Sequence, residues 1–264
     1  MGVNIASSEF RAIGWSRKPH LHVLRRVNPL RKRYREFLRA RSSFDLFVTS
    51  DYGQNSLQFG DTGEQFRSVG YSYGENFLAK DLYLELLNGF PSRKFFDPFY
   101  DLTKTYDWGF VKKFGSVTNP LYLEKFPSLK KFYDFVASDA FCGQVTELCG
   151  DGIARKCHTI DSTWAKSGGY LTPHQDQARE VDESNGFVNL VYFVKGNGDP
   201  WTGGGTSFSS DAEMSELLVT PRTLNNSFVI YRSLAHVWHG FRTIRKGQVR
   251  WAIIVQFCSS NYSN

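Results

Sequence analysis

Six short apolar runs, rich in β-branched and aromatic residues, crowd into the second half of this chain, each cut off by glycine, proline or asparagine. The first follows Ser167-Gly168-Gly169 and carries His174. The others are Phe187–Val194, Thr206–Phe208, Asn226–Tyr231, Trp238–Phe241 and Val249–Phe257. Runs this short, with turn residues between them and little helical periodicity, restrict the region to an all-β barrel or jelly roll. Pro173 pushes Thr172 toward extended backbone, which suits a strand leading into His174.

Within that frame, His174-Gln175-Asp176 has the spacing that matters chemically. Residues i and i+2 of a strand point to the same side, so the imidazole and the carboxylate aim at one place. A second imidazole from a distant segment, His236 or His239, would complete a two-histidine, one-carboxylate set. Such a set leaves half of an octahedral coordination sphere open, as non-haem Fe(II) requires for co-substrate and O2. The triplet alone is weak, since about one chain in three of this composition carries it by chance. The bland alternative is a satisfied core histidine and an unrelated surface turn. Zinc is the other metal reading, but it favours a tetrahedral site and often thiolates. The four cysteines, Cys142, Cys149, Cys157 and Cys258, offer no paired spacing for it.

The ordered elements Tyr170…His174-x-Asp176, Tyr192-Phe193, Gly204-Gly205-Thr206-x-Phe208, Pro221, Phe228-Val229-x-Tyr231, Trp238-His239-Gly240 and Gly247…Arg250 resemble the Fe(II)- and 2-oxoglutarate-dependent dioxygenases, in the prolyl-4-hydroxylase-like branch. The resemblance covers about residues 155–260. It implies a mainly β fold with flanking helices: a double-stranded β-helix (jelly-roll) core buttressed by helices from the N-terminal half. It selects His239 over His236 as third ligand, so His174, Asp176 and His239 would hold the iron. It implies 2-oxoglutarate and O2 as co-substrates, with ascorbate a candidate reductant. The implied reaction hydroxylates an unactivated C–H bond and releases succinate and CO2. Related halogenases carry a small residue where Asp176 stands, so the carboxylate argues for hydroxylation. The interval from Gly247 to Arg250 is one residue longer than the common pattern, and a small bulge or turn adjustment is expected there.

This chemistry needs a cation for the far carboxylate of 2-oxoglutarate, and arginine fits because its planar fork pairs bidentately with carboxylate. Arg250 shares a strand face with Ala252 and Ile254, while Val249, Trp251, Ile253 and Val255 take the other. A surface arginine is the plain alternative. Arg242 and Arg245 are rivals in a more polar connection, where solvation is expected. Tyr170, Asn189 and Thr206 are candidate polar contacts to the co-substrate, though each is equally an ordinary barrel residue. Trp164, Trp201, Trp238 and Trp251 read as core or pocket-wall aromatics.

Composition bounds the rest. The chain of 264 residues is read as a single catalytic domain: a basic arm and helix (1–50), a helical and loop elaboration (51–154) and the barrel core (155–260). Residues 51–76 read as loops and short strands, Leu78–Leu87 as a helix, and Pro127 as the start of another. The aromatic stretch from Phe95 to Phe110 is expected over the barrel mouth. No apolar run is long enough to cross a membrane, and no signal peptide is visible. Scattered cysteines suit a reducing cytoplasm. Between Arg11 and Arg41 stand eleven Lys or Arg and one acid, Glu36. A basic amphipathic helix there can meet an anionic membrane surface, or pack on the barrel. Nucleic acid is disfavoured, because no nucleic-acid-binding fold accompanies the charge. The substrate readings are an anionic glycolipid such as the Kdo sugar of lipopolysaccharide, a free or peptide-bound amino acid, or a small natural-product intermediate. A non-catalytic barrel that binds a ligand is the reading from another class. The oligomeric state has no sequence signal.

Overall fold

A computed structural model describes residues 60–98, 108–114, 123–176, 186–233 and 237–262. The basic segment 11–41 and His236 lie outside the described residues. In chain order the elements are helix α1 (Gly60–Val69), strand β1 (Tyr71–Glu75), α2 (Lys80–Gly89), a 3-10 turn (Arg93–Phe95), β2 (Phe96–Pro98) and β3 (Trp108–Phe114). Then come α3 (Pro127–Ala137), α4 (Asp139–Cys149), β4 (Arg155–His174), β5 (Val188–Gly196) and the one-turn α5 (Pro200–Gly203). The strands β6 (Ser207–Ser209), β7 (Leu217–Val219), β8 (Ser227–Arg232), β9 (Trp238–Phe241) and β10 (Val249–Ser259) complete the chain.

The strands pair antiparallel in the order β1-β8-β5-β10-β4-β9-β6-β7, with β3 added to β4 and β2 to β3. This sheet rolls up until its two ends meet: the Tyr71 ring of β1 stacks on Phe208 of β6, 5.6 Å between centroids. The result is the expected jelly-roll core, mostly β and nearly closed, with helices on one side.

Strand alternation explains how one sheet serves two cores. In β5, Leu190, Tyr192 and Val194 face the helices, while Val191 and Phe193 face the barrel interior. In β10, Ile253, Val255 and Phe257 face the helices and Ala252 faces inward, the division expected from the sequence. Both faces are covered, so β5 is buried along nearly its whole length. The helix-side core is largely aromatic. Phe132 of α3 stacks on Tyr192 at 5.1 Å, and Phe141 of α4 packs against Phe257 at 5.8 Å. Helix α4 is bounded by its own chemistry: the Ser138 hydroxyl accepts from Phe141 N at 3.2 Å, and Gly150 closes the helix at φ +63°.

A buried amide ties the two halves together. Asn226 Oδ1 accepts from Leu78 N (2.9 Å) and from Tyr192 Oη (3.0 Å), and its Nδ2 donates to Leu78 O (2.8 Å). Its backbone sits at φ +52°, a region asparagine tolerates better than most residues.

Two expectations need correction, and one element is new. Residues 60–69 are helical rather than loop or strand, because Phe66 is fully buried against the core and Arg232 lies over its ring at 5.4 Å. Phe95 and Phe96 pack into the helix-side core rather than over the mouth, with Phe96 5.9 Å from Phe90 and Phe90 stacked on Trp251 at 5.3 Å; the side chains of the rest of that stretch, 97–110, lie outside what is described. Helix α4 has no counterpart in the sequence reading. The irregularity expected near Gly247–Arg250 takes the form of a turn with Gly247 at φ +84° and a register shift of β10 on β5 between Trp251 and Ala252.

Among the described residues no helix is long and apolar enough to cross a membrane.

Candidate metal centre

His174 closes β4 and His239 is the second residue of β9, and the two are direct cross-strand partners. The β4–β9 register shifts between Leu171 and His174. Leu171 packs inward with Phe241, yet His174 lies three residues on, an odd step that regular alternation would turn outward. The shift, at Thr172-Pro173, keeps both residues inside. Gly240 allows the strands to close up: a Cβ there would lie 2.7 Å from Leu171 O and 3.1 Å from Pro173 N.

The strand expected to carry both His174 and Asp176 ends at His174, so the i, i+2 alternation does not place the carboxylate; the chain turns out of β4 and brings Asp176 back toward the two rings. Asp176 Oδ1 stands 3.6 Å from His174 Nε2 and 3.9 Å from His239 Nε2, and one ligand atom from each residue lies within 4.8 Å of the others. Both imidazoles are buried, whereas the Asp176 side chain keeps 25% of its surface exposed. His174 Nδ1 is 3.0 Å from Thr172 O, which favours the tautomer with the proton on Nδ1 and the lone pair on Nε2. Burial pulls the His239 pKa down against the attraction of Asp176, so the ring is held neutral, as a metal ligand must be. Two buried imidazoles and one partly exposed carboxylate fit a divalent transition metal such as Fe(II). No thiolate joins the group, which argues against a structural zinc site.

Arg250 lies deeper on the same inner face and is only 1% exposed. Its Nη1 and Nη2 donate to Thr163 Oγ1 and Thr206 Oγ1, both at 3.3 Å, and its guanidinium lies 4.7 Å from the Phe241 ring and 5.3 Å from that of Phe193. Its Nε is buried with no hydrogen-bond partner. Desolvation pulls its pKa down to about 9. Among the described residues no carboxylate comes within ion-pairing distance of it. A buried cation with an unspent donor and no counter-ion is costly to keep. An anionic ligand would remove that cost.

The sequence candidates therefore divide. His174, Asp176 and His239 come together, and Thr206 touches Arg250. Asn189 lies against the carboxylate instead, its Nδ2 donating to Asp176 Oδ2 at 3.0 Å. Tyr170 is buried in β4, paired in register with Gly109. Arg245 is exposed, as expected, but Arg242 is half-buried with its guanidinium 3.5 Å from the Trp201 ring centroid. Trp164 and Trp251 pack on the helix side of the sheet and Trp238 is half-buried. All four cysteines are free.

Sequence reasoning quoted Tyr231 in the motif order but gave it no role at the site; its hydroxyl donates to Asp176 Oδ2 at 3.1 Å and lies 3.2 Å from His239 Nε2. Thr163 and Gln256 were missed. Strand parity could have found all three, since they share the inner face with Arg250 and Asn189.

No family model matches the chain, and no curated protein matches it by sequence. Solved structures do match in fold. A prolyl hydroxylase from Trichoplax adhaerens, in complex with a hypoxia inducible factor oxygen degradation domain peptide fragment, superposes with TM-score 0.57 at 13% identity, covering 79% of this chain and 96% of that one. A Pseudomonas putida prolyl-4-hydroxylase gives TM-score 0.53 at 14% identity, covering 76% and 98%. HygX from Streptomyces hygroscopicus, with nickel and 2-oxoglutarate bound, gives TM-score 0.53 at 8% identity, covering 76% and 87%. The chain has the fold of these three proteins.

Proposed function

We propose that this protein is an Fe(II)- and 2-oxoglutarate-dependent dioxygenase that hydroxylates an unactivated C–H bond of an organic substrate, with release of succinate and CO2. His174, Asp176 and His239 hold the iron. Arg250, with Thr206 and Thr163 beside it, takes the far carboxylate of 2-oxoglutarate, and Tyr170 is a further candidate contact. The bound iron supplies the activation of O2 coupled to decarboxylation of the co-substrate, and ascorbate can keep it reduced. The protein's part is to fix the ligands on one face, offer a buried cation to a diacid and exclude water behind both.

One observation carries the reading: a guanidinium that meets no carboxylate among the described residues is buried in the same barrel as the histidine–carboxylate cluster. A binding barrel of another kind would need the cluster or the cation, but not both. The test is succinate release from 2-oxoglutarate with Fe(II) and a metabolite or lipid extract, read beside a mass gain of one oxygen in an extract component. Chelator should stop turnover and added Fe(II) restore it. A protein that binds 2-oxoglutarate but never releases succinate with any extract is a ligand-binding barrel.

For the substrate, the basic segment 11–41 supports an anionic molecule at a membrane surface, such as the Kdo sugar of lipopolysaccharide, met from the cytoplasmic side. Binding to anionic liposomes at low salt, lost as salt rises, is the expected result. Indifference to anionic lipid would shift the reading to a free or peptide-bound amino acid or a natural-product intermediate.

A further inference from the structure

Gln256, Asn189 and Tyr231 occupy one row across three neighbouring strands. Gln256 of β10 is the cross-strand partner of Asn189 in β5, and Asn189 is the partner of Tyr231 in β8. All three point into the barrel; Asn189 and Tyr231 reach Asp176, and Gln256 reaches Asn189.

An ionised carboxylate only accepts hydrogen bonds. Asp176 Oδ2 receives two, from Asn189 Nδ2 at 3.0 Å and from Tyr231 Oη at 3.1 Å. Its Oδ1 faces the imidazole nitrogens instead. Asn189 can donate only if its amide is turned with the nitrogen toward Asp176. Gln256 fixes that orientation, because its Nε2 donates at 3.2 Å to the Asn189 oxygen on the other side. The Tyr231 hydroxyl has a single proton and also stands beside His239 Nε2, so its donation goes to Asp176 once that nitrogen is committed to a metal.

We propose that Gln256, Asn189 and Tyr231 form a positioning relay that occupies Asp176 Oδ2 and reserves Oδ1 for the metal. Asp176 then binds through one oxygen, and the coordination site a second oxygen would take stays open for co-substrate. The inference rests on the metal-centre reading above. It assigns these residues no contact with substrate; they act through Asp176.

The experiment is a Co(II) titration of the full-length, metal-free protein, followed by visible absorption, with succinate release measured separately. Asn189→Leu and Tyr231→Phe each remove one donor, and each should weaken cobalt binding about 10- to 100-fold and alter the spectrum. Gln256 is only partly buried, so its variants are the ones most certain to fold, which thermal melting of the metal-free forms checks. Gln256→Leu removes the brace. Gln256→Glu places an acceptor where a donor stood, so the Asn189 amide turns round and shows its oxygen to Asp176. Glu should therefore weaken cobalt binding more than Leu does, an order that loss of packing would not produce. Wild-type affinity and spectrum in all four variants would overturn the relay. So would equal effects of Leu and Glu at 256. If the wild type binds no cobalt, relay and metal centre fall together. If cobalt binding behaves as expected but succinate never appears, the relay stands and the oxygenase reading falls.

Discussion

His174 and His239 face each other across two antiparallel strands, with ring centroids 4.2 Å apart. The separation of the two imidazoles is thus set by the sheet itself rather than by a loop, and a metal would meet them already in place. What the sheet sets, a change in the sheet can spoil.

Gly240→Ala tests this without touching a ligand. Its new Cβ would press on the backbone of Leu171 and Pro173, neither of which is the yielding end of a side chain. The strands must part there by a few tenths of an ångström. Overpacking of this kind costs about 1–3 kcal/mol. The expected outcome is a modest fall in melting temperature with a disproportionate loss of Fe(II) or Co(II) affinity, measured by titration. Unchanged affinity would show that the ligands do not depend on β4–β9 spacing.

Arg250→Met should separate binding from stability. Charge-assisted hydrogen bonds contribute about 1.5–3 kcal/mol, so KM for 2-oxoglutarate should rise about 10- to 100-fold. The ligand-free protein should melt no lower than wild type, since the change removes a buried charge that pairs with no carboxylate among the described residues. Adding 2-oxoglutarate should raise the melting temperature of wild type and leave that of the variant unmoved.

Asn226 offers a test of the scaffold. Asn226→Ala loses the hydrogen bonds to Leu78 and Tyr192 and puts a β-carbon at positive φ with no compensation. A loss of about 2–4 kcal/mol in urea unfolding is expected. Asn226→Gly loses the same bonds but relieves the backbone, and should recover about 1 kcal/mol of it. Equal losses would mean that backbone strain plays no part.

The four thiols make the protein sensitive to alkali. Burial pushes all four above their ordinary value of 9.0, Cys157 up to about 12. In the unfolded chain these thiols lose their protons near pH 9, while the folded protein still holds them. Stability from this source is therefore complete below pH 9 and declines as pH rises above it. Urea midpoints should fall between pH 8.5 and 10.5, and Cys157→Val should flatten part of that slope. A thiol reagent at pH 8 should label the native protein far more slowly than the unfolded one.

The strand-rich half was legible because its signals are local. Pro173, Gly203 to Gly205 and Gly247 punctuate the runs, and a His-x-Asp followed by Trp-His-Gly has few alternative uses. Arg250 could be placed by counting along its strand. Less could be read where tertiary contacts decide. Helix α1 holds glycine at two positions and a weak apolar stripe, so its helicity depends on Phe66 finding the core. Helix α4 was announced by Ser138 and Gly150, a cap at each end, but its stripe of Phe141, Val145 and Leu148 is short. Tyr231 was hidden for a different reason. An aromatic at an inward strand position looks like filling, and nothing local says that its hydroxyl meets a carboxylate 55 residues away.

The closed-in guanidinium at the floor of the barrel has one more implication. It recognises a charge and a reach, and carries nothing that tells one short dicarboxylate from another. Succinate or fumarate would answer the same need as 2-oxoglutarate. Selectivity among them has to come from the metal end. With the metal absent, short diacids of similar length should compete on nearly equal terms.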